Sequence, residues 1–244
     1  MKWRKIRDVS PDHNCNDVFE DYSDSIFLTF DLDWVCDDIL ADTISIVERA
    51  DVEATWFITH YTPLLARLRE NPKFELGIHP NFNNILAGSP DSVNGEKAED
   101  TVDKLLALVP EARSVRSHSM TQSSSLLTLF AEKGLSHDCN HFIPHQAELN
   151  LRPWLVWNGL IKVPCFWEDD IAALYGEDFL EVGELIHREG VKVFDFHPIH
   201  VFLNTEDMMR YENSRDYHRY PEKLVGYQNR GNGSRTALMR LLEL

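Results

Sequence analysis

The sequence predicts an α/β fold: a distorted (β/α)7 barrel forming a single domain, with parallel strands inside and helices outside. Three observations carry this. Short apolar runs rich in Val, Ile and Phe recur along the chain, helical patterns lie between several of them, and polar residues with chemical potential follow the C-terminal end of each run. Alternation of this kind implies a parallel sheet whose strands are covered on both faces. An open doubly wound sheet is the alternative arrangement of the same elements.

Residues 1–24 are polar and irregular and read as an N-terminal extension to a barrel domain at 25–244. Strands are expected at Ser25–Asp31, Glu53–Thr59, Phe74–His79, Arg113–Ser117, Ser136–Phe142, Leu160–Phe166 and Val191–His197. After the first comes "DDILADTISIVERA", which places Ile39, Leu40, Ile44 and Val47 on one side of a helix, with Asp37 or Asp38 as its cap. "THYTPLLARLRE" is a short helical link, and "EDTVDKLLALV", "SSSLLTLFAEKG" and "EDFLEVGELIHREG" repeat the pattern, the last two stopping at Gly134 and Gly190. Residues 204–223 are polar and aromatic and read as a long connection over one end of the barrel. "GNGSRTALMRLLEL" then supplies a Gly loop and a closing helix. The loop lacks Walker spacing and a preceding strand, which argues against a phosphate cradle.

Bulk composition narrows the function. Lys and Arg number 24 against 40 Asp and Glu, a formal charge of −16, which argues against general nucleic-acid binding. The hydrophobic fraction of 43% is enough for a substantial core. Cys15, Cys36, Cys139 and Cys165 form no CxxC pair and read as reduced thiols, not as a disulfide frame or a zinc knuckle. The basic start has no apolar stretch behind it, and no run approaches the roughly 18 apolar residues of a membrane span. The expected location is therefore cytoplasmic.

The strand tips hold the functional signal. In order they offer Asp31 and Asp33; Thr59 and His60; His79 and Asn83; Arg116, Ser117 and His118; His141 and His145; Trp167, Glu168 and Asp169; His197 and His200. Catalytic groups of α/β barrels gather at that same end, from the tips of different strands. An Asp after a strand is often a turn former, but Asp31 ends its strand too early to cap the helix. His79 in "GIHPN" is either a turn histidine or a functional one, and His197 either a core histidine or a functional one. Arg116 on a central strand needs a carboxylate partner. The four-residue spacing of His137, His141 and His145 hints at metal, although Pro144 breaks helical register in the second pair. Asp195 shares a strand face with His197 and is a candidate to hold its ring, as is another acid.

"LTFDLDW", "GIHPNFN", "VRSHS" and "FDFHPIH", in that order from about Ile26 to His200, resemble the polysaccharide deacetylase family of metal-dependent carbohydrate esterases. The resemblance implies a barrel of about seven strands, with Asp31 as catalytic base, Asp33 and His79 as metal ligands, Arg116 orienting the base and His197 as general acid. Two positions depart from the family pattern. Asn83 stands where a second metal-binding His is usual, so Asn83 is the expected third ligand, with His118 or His141 as the alternative source of a nitrogen. Ser-His-Ser follows Arg116 where prolines and an aromatic are usual. The departures resemble a divergent branch associated with bacterial surface-polysaccharide (O-antigen) synthesis.

The implied cofactor is a divalent metal, zinc foremost, with manganese, cobalt or iron as alternatives. The implied activity is removal of an N-acetyl group from a sugar derivative, a polysaccharide precursor. The other readings are a cyclic amide or imide hydrolase on the same barrel, and a carbohydrate-binding or scaffold protein that has lost turnover.

Overall fold

The run SIFLTFD is buried at all seven positions, and it forms the strand around which the molecule is built. The computed structural model describes residues 1–12, 15–86 and 97–243. Its strands are β1 (Lys2–Arg4), β2 (Pro11–Asp12), β3 (Cys15–Phe19), β4 (Ser25–Asp31), β5 (Ala54–Ile58) and β6 (Phe74–Ile78). They continue with β7 (Ser114–Val115), β8 (His137–Asp138), β9 (Trp154–Leu155), β10 (Ile161–Lys162), β11 (Trp167–Glu168) and β12 (Val193–Phe196). The main sheet runs β11-β12-β4-β5-β6-β7-β8-β10-β9, and only the β9–β10 pair in it is antiparallel.

The sheet curls, and its two sides meet on one segment. Ile161–Lys162 pairs with β8, Cys165 bridges to Phe142, and Trp167–Glu168 pairs with β12. The strand expected at Leu160–Phe166 is thus present but split, its first half serving one neighbour and its second half the other. Pro164 stands at the break, and proline has no N–H to continue a ladder. With β4, β5, β6, β7, β8 and β12, this segment makes the seven-stranded, distorted barrel that the sequence predicts.

Helices flank the sheet. They are α1 (Asp37–Ala50), α2 (Leu65–Glu70), α3 (Asn83–Leu86), α4 (Ala98–Leu108), α5 (Ser124–Glu132), α6 (Asp169–Tyr175), α7 (Val182–Leu185), α8 (Pro198–Leu203), α9 (Met208–Ser214), α10 (Pro221–Leu224) and α11 (Ser234–Leu242). In α1 the expected stripe of Ile39, Leu40, Ile44 and Val47 is buried. Its N-cap is Cys36, so Asp37 and Asp38 occupy the first turn, where carboxylates complement the helix dipole. Gly134 follows α5 with φ 81°, the left-handed conformation expected of a helix stop.

Three expectations are corrected. "EDFLEVGELIHREG" is helical only over Val182–Leu185, and Gly183, the weakest helix former in it, lies inside that turn. Residues 204–223 are not an irregular connection: they fold as α9, a 3-10 turn and α10, with the Asp207 carboxylate capping α9 by accepting from the Met209 N–H at 2.7 Å. The opening residues are not irregular either. Strand β1 pairs in parallel with the first half of β4, and Ile6, Val9 and Tyr22 are buried beneath the barrel. The Ile6 N–H donates to Thr55 Oγ1 at 3.0 Å, fixing this segment to the barrel floor. Cys36, Cys139 and Cys165 are free thiols; the side chain of Cys15 lies outside the described residues.

Candidate metal and catalytic site

Strand β4 delivers Asp31 at its last residue, and the chain then turns sharply. Asp33 has φ 43° and Trp34 φ 56°, a left-handed pair that costs non-glycine residues about 1–2 kcal/mol each. The turn is held because the Trp34 N–H donates to Thr59 Oγ1, at the tip of β5, at 3.1 Å. Beyond β7 the same device recurs, with Ser119 at φ 57° and Met120 at φ 50° directly after His118. Strained backbone therefore flanks two of the side chains that meet at the barrel mouth.

Asp33, His79 and His118 converge. His79 Nε2 lies 3.2 Å from Asp33 Oδ1, His118 Nδ1 lies 3.2 Å from the same oxygen, and the two nitrogens are 3.4 Å apart. Three donors on a tetrahedral ion with bonds of about 2.05 Å would stand about 3.3 Å from one another; an octahedral ion of that size would bring neighbours to about 2.9 Å. The observed triangle matches a tetrahedral face, and one carboxylate with two imidazoles is a donor set suited to zinc. His79 is fully enclosed, and its Nδ1 faces Asp31 Oδ2 at 3.3 Å, so a carboxylate stands behind the ring. Burial alone would raise the Asp33 carboxyl, but hydrogen bonds with His118 and His79 hold it well below the usual carboxylate range.

Arg116 follows β7 and is fully buried. Its Nη1 donates to Asp31 Oδ1 at 3.0 Å and also to Asp195, while Nη2 donates to Thr29 Oγ1 at 3.0 Å. Its guanidinium lies 4.5 Å above the Phe57 ring. That ring sits against Gly77, where a Cβ would come within 2.8 Å of both the ring and the Ser114 carbonyl oxygen, so glycine is required there. Asp195 Oδ1 is occupied by this arginine and by Thr29 Oγ1 at 2.7 Å. Burial pushes its carboxyl up to about 7 against the pull of Arg116.

Asp195 accordingly does not hold His197. Asp169, at the start of α6, does so: its Oδ1 is 2.8 Å from His197 Nδ1, its Oδ2 accepts from the His197 N–H at 3.1 Å, and Ser234 Oγ from α11 donates to it. Of the two possibilities left by the strand face, Asp195 or another acid, the structure has the second, because a neighbouring strand's tip lies nearer the ring than the residue two back along the same strand. His197 Nε2 then points toward Asp33 Oδ2, 3.8 Å away. Burial would lower the His197 pKa, but the charges of Asp170, Asp169 and Asp33 and the hydrogen bond to Asp169 raise it well above the ordinary histidine value. His200 is engaged elsewhere, with Nδ1 3.0 Å from Thr205 Oγ1 and its ring against Tyr211.

Asp31, Asp33, His79, Arg116, His118 and His197 line one cavity of about 110 Å³ with Ser117, Ser119, Met120, Glu168 and Asp170. Of the residues expected from the sequence, Asp31, Asp33, His79, Arg116 and His197 are brought together, and so is His118. Asn83 is not among the converging donors: it is exposed, and its amide donates to Ser119 Oγ at 3.3 Å. His141 also lies apart, packed edge-on against Trp154. His137 and His145 serve other contacts, His137 with the Val9 carbonyl and His145 with Glu177. Glu168 and Asp169 were visible only as acids after the sixth strand, and Asp170 was not singled out; nothing in their spacing tied them to His197.

The WbmS-like polysaccharide deacetylase family model matches residues 28–215. The crystal structure of a proposed polysaccharide deacetylase involved in O-antigen biosynthesis, from Bordetella bronchiseptica, superimposes with a TM-score of 0.90 at 45% identity, covering 99% of this chain and 97% of its own. The crystal structure of a proposed polysaccharide deacetylase from Mycobacterium smegmatis is 16% identical over 71% of this chain and 77% of its own, with a TM-score of 0.49. Among curated proteins none matches. The chain belongs to the WbmS-like polysaccharide deacetylase family.

Proposed function

We propose that the protein is a metal-dependent deacetylase that removes the N-acetyl group from a sugar unit of a surface-polysaccharide precursor. The observation that carries this reading is the spacing of Asp33, His79 and His118 as the face of a tetrahedron, with His197 across the same cavity. The kinship with the Bordetella protein involved in O-antigen biosynthesis supports the substrate class. Asp33, His79 and His118 would hold the ion, with zinc the best fit. When bound there, a divalent cation supplies a Lewis acid for the acyl oxygen and lowers the pKa of water toward neutrality.

The chain's own residues divide the proton transfers. Asp31, directed by the Arg116 hydrogen bond, takes the proton from the attacking water. His197 is held with Nδ1 on Asp169, so its Nε2 is the atom turned to the cavity. It delivers a proton to the amine nitrogen as the C–N bond breaks, leaving acetate and a free amino sugar. Arg116 compensates Asp31 and Asp195 together, so two buried carboxyl groups can lie beside the acid without collapsing the web. Among the described residues no helix is long and apolar enough to cross a membrane. The test is elemental analysis of the purified protein, then acetate release from N-acetyl sugars before and after chelation and zinc readdition. Metal-free protein with full activity would overturn the reading.

A further inference from the structure

Glu168 lines the same cavity, yet the proton transfers above leave it without a task. It is only 8% exposed, and its Oε1 is buried with no hydrogen-bond partner among the described residues. It stands at the N-cap position of α6, but its side chain makes no capping bond. In the parallel ladder Glu168 lies beside Asp195, whose Oδ1 takes Arg116 and Thr29 and whose Oδ2 is also buried without a hydrogen-bond partner among the described residues, so no hydrogen bond joins the two carboxyl groups. A buried carboxyl left unpaired destabilises the fold in a way that Leu or Met at the same place would not. Such an atom at the wall of a substrate cavity points to a ligand as its partner.

The chemistry of that ligand follows from the surroundings. Burial, then the charges of Asp170 and Asp195, push the Glu168 carboxyl well above the usual range and favour the neutral acid. A neutral carboxyl offers one O–H donor and one carbonyl acceptor, the complement of a hydroxyl group. At Glu168 itself the charges that weigh most are those of Asp170 and Asp195, which disfavours a phosphate or carboxylate as the partner of this carboxyl. We propose that Glu168 is a specificity residue whose carboxyl group hydrogen-bonds a sugar hydroxyl neighbouring the scissile acylamino group. The proposal rests on the deacetylase reading and assigns part of its sugar recognition to one side chain.

The test compares Glu168→Gln, which keeps a donor and an acceptor, with Glu168→Leu, which keeps neither. Zinc-loaded full-length protein is assayed on an N-acetylhexosamine, on the analogue lacking the adjacent hydroxyl, and on 4-methylumbelliferyl acetate, which has no sugar. Glu168→Leu is expected to lose about 10- to 100-fold in kcat/KM on the parent sugar, with little change on the deoxy analogue or the aryl ester. Glu168→Gln is expected to stay within about threefold of wild type on all three. Equal damage from Gln and Leu would mean that an ionised carboxylate is needed and would overturn the proposal. So would a Leu variant that loses the aryl ester equally, because the role would then be structural. A Leu variant as active as wild type on the parent sugar sinks this proposal alone. Metal-loaded wild type that cleaves none of the three sinks the deacetylase reading and this inference with it.

Discussion

The two ends of the barrel bury polar groups in opposite ways. At the floor, Glu75 and Lys192 are closed by the protein. Glu75 accepts from Ser114 Oγ, from Thr55 Oγ1 at 2.9 Å and from the Arg7 N–H at 2.9 Å. Lys192 Nζ donates to the carbonyl oxygens of Ser23, Arg188 and Gly190. At the mouth, Asp33, His79 and His118 face one another, Glu168 Oε1 has no partner among the described residues, and the backbone at Asp33 and Ser119 is left-handed. Burial of charge is therefore no mark of function by itself. What separates the ends is whether the donors and acceptors are spent on the fold or held for something else.

The largest break in that contrast should come at the metal triangle. Asp33→Ala or His79→Ala is expected to lose most bound zinc and about 10³-fold or more in N-acetyl hydrolysis, with the fold retained by circular dichroism. Metal content equal to wild type in both variants would refute the assignment.

His197 comes next. His197→Asn should keep its zinc, lose roughly 10²–10⁴ in rate on an N-acetyl sugar and lose less on an activated ester, whose leaving group needs no proton. The proposed mechanism requires the acid form, and its pKa is raised, so activity should persist above pH ~6.5 and fall only as pH climbs through the raised folded value. The linked stability has the same sign: His197 gains its acidic partners on folding, so its contribution is complete below the unfolded pKa and is lost as pH rises through the folded one. Asp169→Asn removes the hydrogen-bonded charge and should move the alkaline limb of the rate profile to lower pH; an unmoved limb would mean that another group sets it.

The floor sharpens the comparison from the other side. Glu75→Ala leaves three donors unpaired and should cost about 2–4 kcal/mol in urea denaturation, while zinc stoichiometry and kcat of the folded fraction stay at wild-type values. A selective fall in metal content would show that the two ends are coupled. The smallest effect is expected at Asn83. Asn83→Ala should change zinc affinity by less than about twofold, against a loss of about 10-fold or more for His118→Ala. Comparable losses would restore Asn83 as the ligand and displace His118.

Much of this was legible in the residues because it rests on local patterns. Apolar runs marked β4, β5, β6 and β12, and the α1 stripe was read from its spacing. The acids and histidines at strand tips were legible for the same reason, since a parallel barrel places every C-terminal tip on one face. Partner choice was not legible. His118 lies in a 3-10 turn with left-handed residues behind it, a conformation that Ser119 and Met120 do not announce. Asn83 sat one helical turn beyond His79, but α3 begins at Asn83 itself, and its side chain turns to Ser119 instead of the metal triangle.

The sequence by itself determined the class of fold, the succession of its main strands along the chain and the end of the barrel where acids and histidines gather, because periodicity and strand direction are properties of neighbouring residues. Only the tertiary structure decided that His118 completes the triangle, that Asp169 and not Asp195 holds His197, that a split segment at 161–168 joins the sheet's two sides, and that the first residues form its floor. Each of those outcomes depends on distances between side chains far apart in the chain, set by sheet curvature and by competition among several acids for one arginine and one histidine.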